Sequence, residues 1–429
     1  MPTIRSSRVV VGEELRPATI RYESGQIVDV FDGPADKDMG DLIIMPGLVD
    51  SHVHVNEPGR TQWEGFRTAT LAAAAGGTTT IVDMPLNSVP PTVDHDALEA
   101  KRRSAHGAIS VDVAFWGGVI PGSEGHIPTM VQQGVSGFKM FMVDSGVAEF
   151  PPLGLPSMRG ILETLAGEGV PALVHAESAD HLGEIDQTSS YQSYLSSRPV
   201  ESEVAAVTEL SGLAGETGAA VHVLHVSSAD AAGIIGGGPL GGETCPHYLT
   251  FAAEQIADGS TLFKCAPPIR EAAHREGLWE ALGSGAISMI VSDHSPAPPE
   301  LKAQATGDFL AAWGGISSLQ LRLPATWTGA SARGYGPVAL ARWLSTEPAR
   351  LSGLSQKGSI EQGSDADLVV FDPDARVEVR GSDLYHRHPI TPYEGMTLRG
   401  RVVETILRGE VVFDGKPRSG YGRMLARDD

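Results

Sequence analysis

The sequence predicts an α/β protein, a (β/α)8 TIM-like barrel with a small β-sandwich domain composed of both chain termini. Two observations predict the barrel: eight short apolar runs recur through the middle of the chain, and the segments between them are long enough for helices. A third observation is strand-like alternation at both ends. Strands that alternate with helices form parallel βαβ units, and eight such units fit a closed barrel. A doubly wound open sheet is the alternative.

The two ends of the chain carry the pattern of half-buried strands. The strand-like segments are residues 3–11, 18–33, 365–381 and 402–415. Ser24-Gly25 is predicted to form a tight turn between two of the strands. We therefore predict one composite domain from residues 1–44 and 356–429, with two independent β caps as the alternative.

The middle of the chain, residues 45–355, has the rhythm of the barrel domain. Its apolar runs are "GLVDSHVHV", "TTTIVDMPL", "VDVAFWGGV", "GVSGFKMFM", "PALVHAE", "AAVHVLHVSS", "GETCPHYLT" and "AISMIVSDHSP". Segments such as 63–75 and 201–215 carry Ala, Leu and Glu at helical spacing. The stretch "GGGPLG", residues 236–241, matches a dinucleotide-binding pattern but leads into a strand and contains Pro239, so we interpret it as a connecting loop.

Composition excludes several classes of partner. The formal net charge of −21 argues against nucleic acid and anionic membranes, since their phosphates would be repelled. The longest uncharged stretch that we find, residues 68–82, falls short of the ~20 residues that a membrane span needs. The N-terminus lacks the pattern of a signal peptide. Two cysteines form neither a disulfide framework nor a Cys-x-x-Cys site, so we expect a cytoplasmic protein.

Potential metal ligands stand at the same end of five predicted strands. The set is His52, His54, Lys139, His175, His225 and Asp293. Chemistry in such barrels gathers at the carboxyl ends of the strands. Each of these residues alone is more often structural than a ligand, but their convergence at one mouth indicates a site.

The donor set is larger than one metal ion requires. Two imidazoles at i and i+2 of a strand share a face and can hold one cation, whereas a catalytic zinc uses only three protein ligands. Lys139 as an ammonium has no lone pair and would repel a cation. One interpretation is a lysine that extends its amine towards solvent or forms an ion pair with Asp144. The alternative is that its amine has added carbon dioxide to become a carbamate that bridges two metals.

This pattern resembles the binuclear amidohydrolase superfamily and, within it, the cyclic amidohydrolases. The resemblance covers essentially the whole chain and implies the barrel with a composite β-sandwich. It implies that His52, His54, Lys139 and Asp293 hold the buried metal. Lys139, carboxylated on its Nζ atom, would then share the second metal with His175 and His225. Two Zn²⁺ ions suit these donors, although cobalt, manganese and nickel bind similar sets. The family resemblance also implies a small-molecule substrate and a homotetramer.

The branches of this family differ at a few positions. Dihydroorotases carry an arginine that pairs with a substrate carboxylate two residues after the second histidine, where this chain has Asn56. They also place a histidine where this chain has Ala297, and dihydropyrimidinases usually have a tyrosine where it has Asp144. The segments "VNEPGRTQWEGF", "DMPLNSVPPT", "ETCPHYLTF", "KCAPPIR" and "AWGGISSLQ" are similar to a branch that opens a hydantoin ring. A hydantoinase- or dihydropyrimidinase-like enzyme is the alternative.

The resemblance also implies roles for single residues. Asp293 would take a proton from the attacking water and pass it to the leaving ring nitrogen; the alternative is a plain ligand. Backbone groups around Ala266 and Gly314 would contact the substrate, with Asn56 and Ser295 nearby. Asn56 is equally well interpreted as the cap of a turn.

Four further residues, one histidine and three tryptophans, have other predicted roles. His247 is predicted either to line the pocket or to support residues that do. Trp63, Trp116 and Trp313 are predicted to be packing residues. A scaffold protein that has lost its metals is the rival class, and the complete ligand set argues against it.

Overall fold

The computed structural model describes residues 1–428 of the chain. The strands of these residues are β1 Thr3–Val11, β2 Glu14–Glu23, β3 Gln26–Phe31, β4 Lys37–Asp38, β5 Ile43–Pro46, β6 Leu48–Val53, β7 Thr78–Asp83, β8 Asp112–Phe115, β9 Gly117–Gly118, β10 Phe138–Phe141, β11 Ala172–His175, β12 Val221–Val223, β13 Gly241–Thr244, β14 Met289–Ile290, β15 Leu368–Glu378, β16 Thr397–Leu407 and β17 Glu410–Phe413. The α-helices are α1 Phe66–Ala75, α2 His95–Ala105, α3 Ile127–Gln132, α4 Leu155–Glu168, α5 Tyr191–Ser197, α6 Val200–Thr217, α7 Ala229–Gly236, α8 Pro246–Thr250, α9 Ala272–Ser284, α10 Arg322–Ala332, α11 Pro337–Ala341 and α12 Glu347–Ser352.

Parallel strands and helices alternate through the middle of the chain, so the protein has an α/β fold. Each of the eight predicted runs overlaps a parallel strand, and the third run contains two, β8 and β9. Strands β6 to β8 pair in parallel, as do β9 to β14. Every residue of these strands is buried except the first residue of β13, as expected where helices cover a parallel sheet.

Two further contacts join the two groups of parallel strands. Strands β8 and β9 are interrupted only by Trp116, whose backbone N–H donates to the carbonyl of Asp83 (3.0 Å), while Gly117 donates to Gly137 (2.9 Å). The run therefore pairs with β7 on one side and with β10 on the other. At the far edge, Val53 in β6 forms a parallel bridge with His294, just beyond β14.

Both ends of the chain contribute to one mixed sheet. Its order is β17-β16-β15-β5-β1-β2-β3, with β4 beside β1. Ser24 and Gly25 both have positive φ (54° and 90°), as a tight hairpin turn between β2 and β3 requires. Strand β15 pairs antiparallel with β5, which brings the C-terminal segment against the N-terminal one.

This sheet encloses a small apolar core of its own. The core residues share near-complete burial and are Ile4, Val9, Ala18, Ile20, Ile27, Ile44, Ile360, Ala366, Leu368, Val370 and Ile406. A much larger cluster fills the space around the parallel strands. The segment "GGGPLG" runs from the end of α7 to the start of β13, so the interpretation as a connecting loop is confirmed. Among the described residues, no helix combines the length and the apolar character needed to cross a bilayer.

Arg322 at the start of α10 is a fully buried cation that joins several elements. Its Nη1 donates to the carbonyls of Val49 (2.8 Å) and Ile290 (3.2 Å), and its Nε lies 3.5 Å from a carboxylate oxygen of Asp50. Buried cations of this kind hold backbone acceptors that would otherwise lack donors.

Replacing Arg322 with methionine should therefore destabilise the protein strongly. Removing one partner of a buried ion pair typically costs about 3–5 kcal/mol, because the remaining charge and the carbonyls stay buried without a partner. Thermal denaturation followed by circular dichroism measures the effect as a lowered midpoint. The control is Arg380→Met, which removes an exposed arginine that forms an ion pair with Glu378. Equal midpoints for the two variants would contradict the structural role of Arg322.

Candidate active site

Three of the predicted ligands meet at the carboxyl ends of β6 and β14. One carboxylate oxygen of Asp293, Oδ1, lies 3.1 Å from Nε2 of His52 and 3.6 Å from Nε2 of His54. All three side chains are buried. Because zinc binds imidazole nitrogen and carboxylate oxygen at about 2.0–2.2 Å, tetrahedral ligand atoms around one ion are separated by about 3.3–3.5 Å. The observed spacing fits three donors directed at one cation.

Two further predicted ligands face each other beside this group. Nδ1 of His175 lies 3.0 Å from Nε2 of His225, and Nε2 of His175 lies 2.7 Å from a carboxylate oxygen of Glu177. The imidazole rings of His52 and His225 have centroids 5.5 Å apart, so the two groups adjoin. The carboxylate of Glu177 favours a proton on Nε2 of His175, which leaves Nδ1 as the electron-pair donor.

Lys139 on β10 lies at this junction. Its Nζ is 3.4 Å from Nε2 of His52, and the side chain is 1% exposed. No ion pair between Lys139 and Asp144 occurs in the part of the chain that the structure describes; Asp144 accepts a hydrogen bond from the backbone N–H of Gly146 instead. Burial lowers the pKa of Lys139 to about 8, although Asp293 opposes this effect.

Burial and charge set the protonation of the other groups. Burial raises the pKa of Asp293, but the neighbouring imidazoles, His52 foremost, hold the net pKa well below the usual range of an aspartate. Burial lowers the pKa of His54 and of His225 well below the usual value, which favours neutral rings, whereas at His52 the carboxylates of Asp293 and Glu243 outweigh burial and raise the pKa. An ionised carboxylate and neutral imidazoles are the forms that bind metal ions.

The backbone is strained at two of these residues. His225 and Asp293 have φ of 38° and 45°, in the left-handed region that non-glycine residues rarely adopt. Each follows a short parallel strand, β12 or β14, by two or three residues. Such conformations persist where the surrounding structure enforces them, and they cluster at functional sites.

Buried carboxylates form hydrogen bonds with the histidines. These carboxylates were not predicted from the sequence. Oε1 of Glu243 lies 2.5 Å from Nδ1 of His52, and the other carboxylate oxygen lies 3.2 Å from Nε2 of His222. Glu177 accepts from both His175 and the guanidinium of Arg198. The available signal was an acidic residue within or directly after a predicted strand, Glu243 in "GETCPHYLT" and Glu177 at the end of "PALVHAE". Supporting carboxylates of this kind fix the orientation and tautomer of ligating histidines.

A cavity of about 830 Å³ opens onto this group. Of the predicted residues, its lining includes His54, Lys139, His175, His225, Ala266, Asp293, Ser295 and Gly314. His52 lies behind these residues and is fully buried. The lining also contains Arg198, Lys264 and Trp313, which were not predicted to contact a substrate. The ring of Trp313 packs edge-on against Trp63 (centroids 4.7 Å), so this residue both packs and lines the cavity.

Asn56 and His247, which the sequence suggested as possible contacts of the substrate or the pocket, are not part of the lining. Nδ2 of Asn56 donates to the carbonyl of Pro296 (3.3 Å), as a residue that holds a turn would. His247, at the start of α8, is completely buried. The remaining side chains form a concave site in which candidate metal ligands meet groups able to hydrogen-bond a small substrate.

The chain is similar to known proteins over most of its length. The chain matches the Amidohydrolase family over residues 43–412. It is 47% identical to the allantoinase of Streptomyces avermitilis, over 99% of this chain and 98% of that protein. The corresponding identity is 44% for the allantoinase of Saccharomyces cerevisiae, over 98% of each chain. It is 37% for that of Escherichia coli, over 99% of this chain and 98% of that protein.

Solved structures of related enzymes have the same fold. The L-hydantoinase (dihydropyrimidinase) of Arthrobacter aurescens superposes with a TM-score of 0.92 at 30% identity, over 100% of both chains. The dihydropyrimidinase of Brevibacillus agri superposes with a TM-score of 0.90 at 28% identity, over 99% of this chain and 98% of that one.

Proposed function

The chain belongs to the amidohydrolase family, and from this membership we propose that it hydrolyses the hydantoin-ring amide of allantoin to give allantoate. The enzyme is a C–N hydrolase that acts on a cyclic amide. The reaction is a step of purine and ureide breakdown. The observation that carries the proposal is the convergence of six candidate ligands at one site, five of which line the cavity, in a chain similar to allantoinases over nearly its full length.

The architecture that we propose is a closed (β/α)8 barrel over residues 45–355. The parallel bridge between Val53 and His294 supports closure, as does the run 112–118, which pairs with strands on both sides. Residues 1–44 and 356–429 would form the composite β-sandwich. Its separate apolar core supports this division.

For the cofactor we propose two divalent ions, Zn²⁺ in the first instance. His52, His54 and Asp293 would hold one ion, and His175 and His225 the other, with a carboxylated Lys139 bridging them. When bound, such ions lower the pKa of a water molecule to ~7 and polarise the carbonyl that is attacked. An unprotonated lysine amine adds carbon dioxide to give a carbamate and releases a proton. A buried lysine with a lowered pKa supplies that amine more readily than an exposed one.

Asp293 would move the proton during hydrolysis. Its Oδ1 faces both imidazoles of the His-x-His pair, which leaves Oδ2 for proton transfer. The carboxylate would accept a proton from the attacking water and deliver it to the ring nitrogen as the C–N bond breaks. General acid–base catalysis of this kind contributes about 10²–10⁴-fold to the rate.

The substrate contacts that we propose are hydrogen bonds. Allantoin is uncharged at neutral pH, so backbone groups of Ala266 and Gly314 and the hydroxyl of Ser295 suit it better than an ion pair. All three residues line the cavity. For Asn56, the hydrogen bond to Pro296 supports the turn-capping role over direct contact. The homotetramer and the cytoplasmic location stay predictions.

A substrate panel tests the proposed activity. The metal-loaded enzyme is offered allantoin, hydantoin, dihydrouracil and N-carbamoylaspartate, and kcat/KM is measured for each. We expect allantoin to be turned over with the highest kcat/KM, and chelation of the metals to abolish its hydrolysis. Similarity to solved hydantoinases makes a hydantoinase the second candidate. Turnover of hydantoin or dihydrouracil well above that of allantoin would select that candidate.

A further inference from the structure

His247 is a buried imidazole that the proposed reaction does not use. It lies in the first turn of α8, directly after β13, and is 0% exposed. Neither Nδ1 nor Nε2 has a hydrogen-bond partner among the described residues. An unsatisfied buried polar group typically costs about 1–3 kcal/mol, so its presence calls for a ligand, an ion or a water molecule as partner.

Two other potential ligands lie within reach of this imidazole. Sγ of Cys245, a ring nitrogen of His247 and a carboxylate oxygen of Asp293 all lie within 4.8 Å of one another. Ligand atoms around a single ion with bonds of about 2.0–2.3 Å are separated by about 3.3–3.8 Å. Small side-chain rotations would therefore bring the three atoms onto one cation. Of these residues only Asp293 belongs to the metal pair proposed above.

We propose that Cys245, His247 and Asp293 form a third cation site, selective for soft divalent ions such as Cd²⁺. The thiol of Cys245 loses its proton to solvent as the sulfur–metal bond forms. The imidazole nitrogen of His247 and the carboxylate of Asp293 complete the set. A thiolate is a soft ligand, which distinguishes this site from the sulfur-free donors of the proposed metal pair.

Occupation of this third site inhibits hydrolysis. A cation bound to Asp293 takes the electron pair that would otherwise accept the proton of the attacking water. This consequence rests on the proposed function of Asp293, whereas the binding itself does not. The ion enters through the cavity, since Asp293 lines it while Cys245 and His247 are fully buried.

Titration of the holoenzyme with cadmium chloride tests the site. Three quantities are followed: the ultraviolet thiolate-to-cadmium charge-transfer band, the content of resident metal, and the residual rate of allantoin hydrolysis. We expect one cadmium ion per chain to produce the band and inhibit, while the resident metal is retained. Cys245→Ser and His247→Gln should each weaken cadmium binding by more than about tenfold, because each loses one of three ligands.

The second cysteine provides the matched control. Cys265 is also buried and lines the cavity, but it is not part of the set, so Cys265→Ser should keep the band. Each variant is compared with its own cadmium-free rate, and its thermal midpoint is checked; Cys245→Ala serves if the serine variant fails to fold.

Four results would overturn the third site. They are a band that survives in Cys245→Ser, a band that is lost in Cys265→Ser, inhibition with loss of resident metal but without a band, and the absence of any band in the unmutated enzyme. An intact band in an enzyme that does not hydrolyse allantoin would refute only the proposed function. Allantoin hydrolysis without any band would refute only the third site.

Discussion

Replacing Lys139 with alanine should strip the enzyme of metal and lower kcat/KM for allantoin by roughly 10⁴-fold or more. The structure places Nζ of Lys139 3.4 Å from His52, at the junction of the two groups of imidazoles. If the carboxylated lysine joins the two ions, the variant loses both the activated water and the polarised carbonyl. Each such electrostatic contribution is typically worth about 10²–10³-fold. Metal analysis and steady-state kinetics measure the two losses.

Chemical rescue separates the bridge from a general structural effect. A short carboxylic acid added to Lys139→Ala should restore part of the activity and metal content, because its two oxygens can replace those of the carbamate. Lys139→Arg is the matched control. Arginine keeps roughly the length and the positive charge of an unmodified lysine but cannot form the carbamate, so this variant should stay inactive and resist rescue. Full activity in Lys139→Ala would exclude the bridge.

The second large effect is expected for Asp293→Asn. Asparagine is nearly isosteric but cannot accept the proton, so kcat should fall by about 10²–10⁴-fold, with further loss if metal binding also weakens. The pKa of Asp293 is held well below its usual range, chiefly by His52 against the opposing effect of burial. Its carboxylate is therefore ionised throughout the neutral range, and protonation of Asp293 should not limit the rate there.

The control for Asp293→Asn is Asp144→Asn. Asp144 also lines the cavity, but it accepts a backbone hydrogen bond from Gly146 and no imidazole contacts its carboxylate in residues 1–428. The loss of kcat in this variant should be much smaller. If Asp293→Asn retained its metal and most of its kcat, Asp293 would be a plain ligand without a role in proton transfer.

The sequence was sufficient to predict the strand ends on which the site is built. Apolar runs identified even β14, which has only two residues, and so located Asp293 correctly beyond a strand. The resemblance to the amidohydrolase superfamily is confirmed by the family match and by the relatives. Both inferences are local: they depend on periodicity and on residue types at fixed offsets along the chain.

Other parts of the site could not be predicted because they depend on contacts between distant segments. His52 and Glu243 are 191 positions apart and meet only because their strands end at the same edge. The position of Trp313 in the cavity depends on the path of a long loop, which carries no periodic signal. For Asn56, the sequence offered two roles, and only the direction of its amide towards Pro296 separates them.

The junction between the terminal sheet and the parallel strands has a practical consequence for engineering. Strand β5 belongs to the terminal sheet, yet only Gly47 separates it from β6, the strand that carries His52. A side chain at Gly47 would meet Thr79 within about 2.4 Å, so the spacer tolerates little redesign. Deleting the C-terminal strands to make a smaller catalyst would expose the edge of β5. It would also weaken the support of β6, which carries His52. Chimeric enzymes should therefore take both chain ends from the same parent protein.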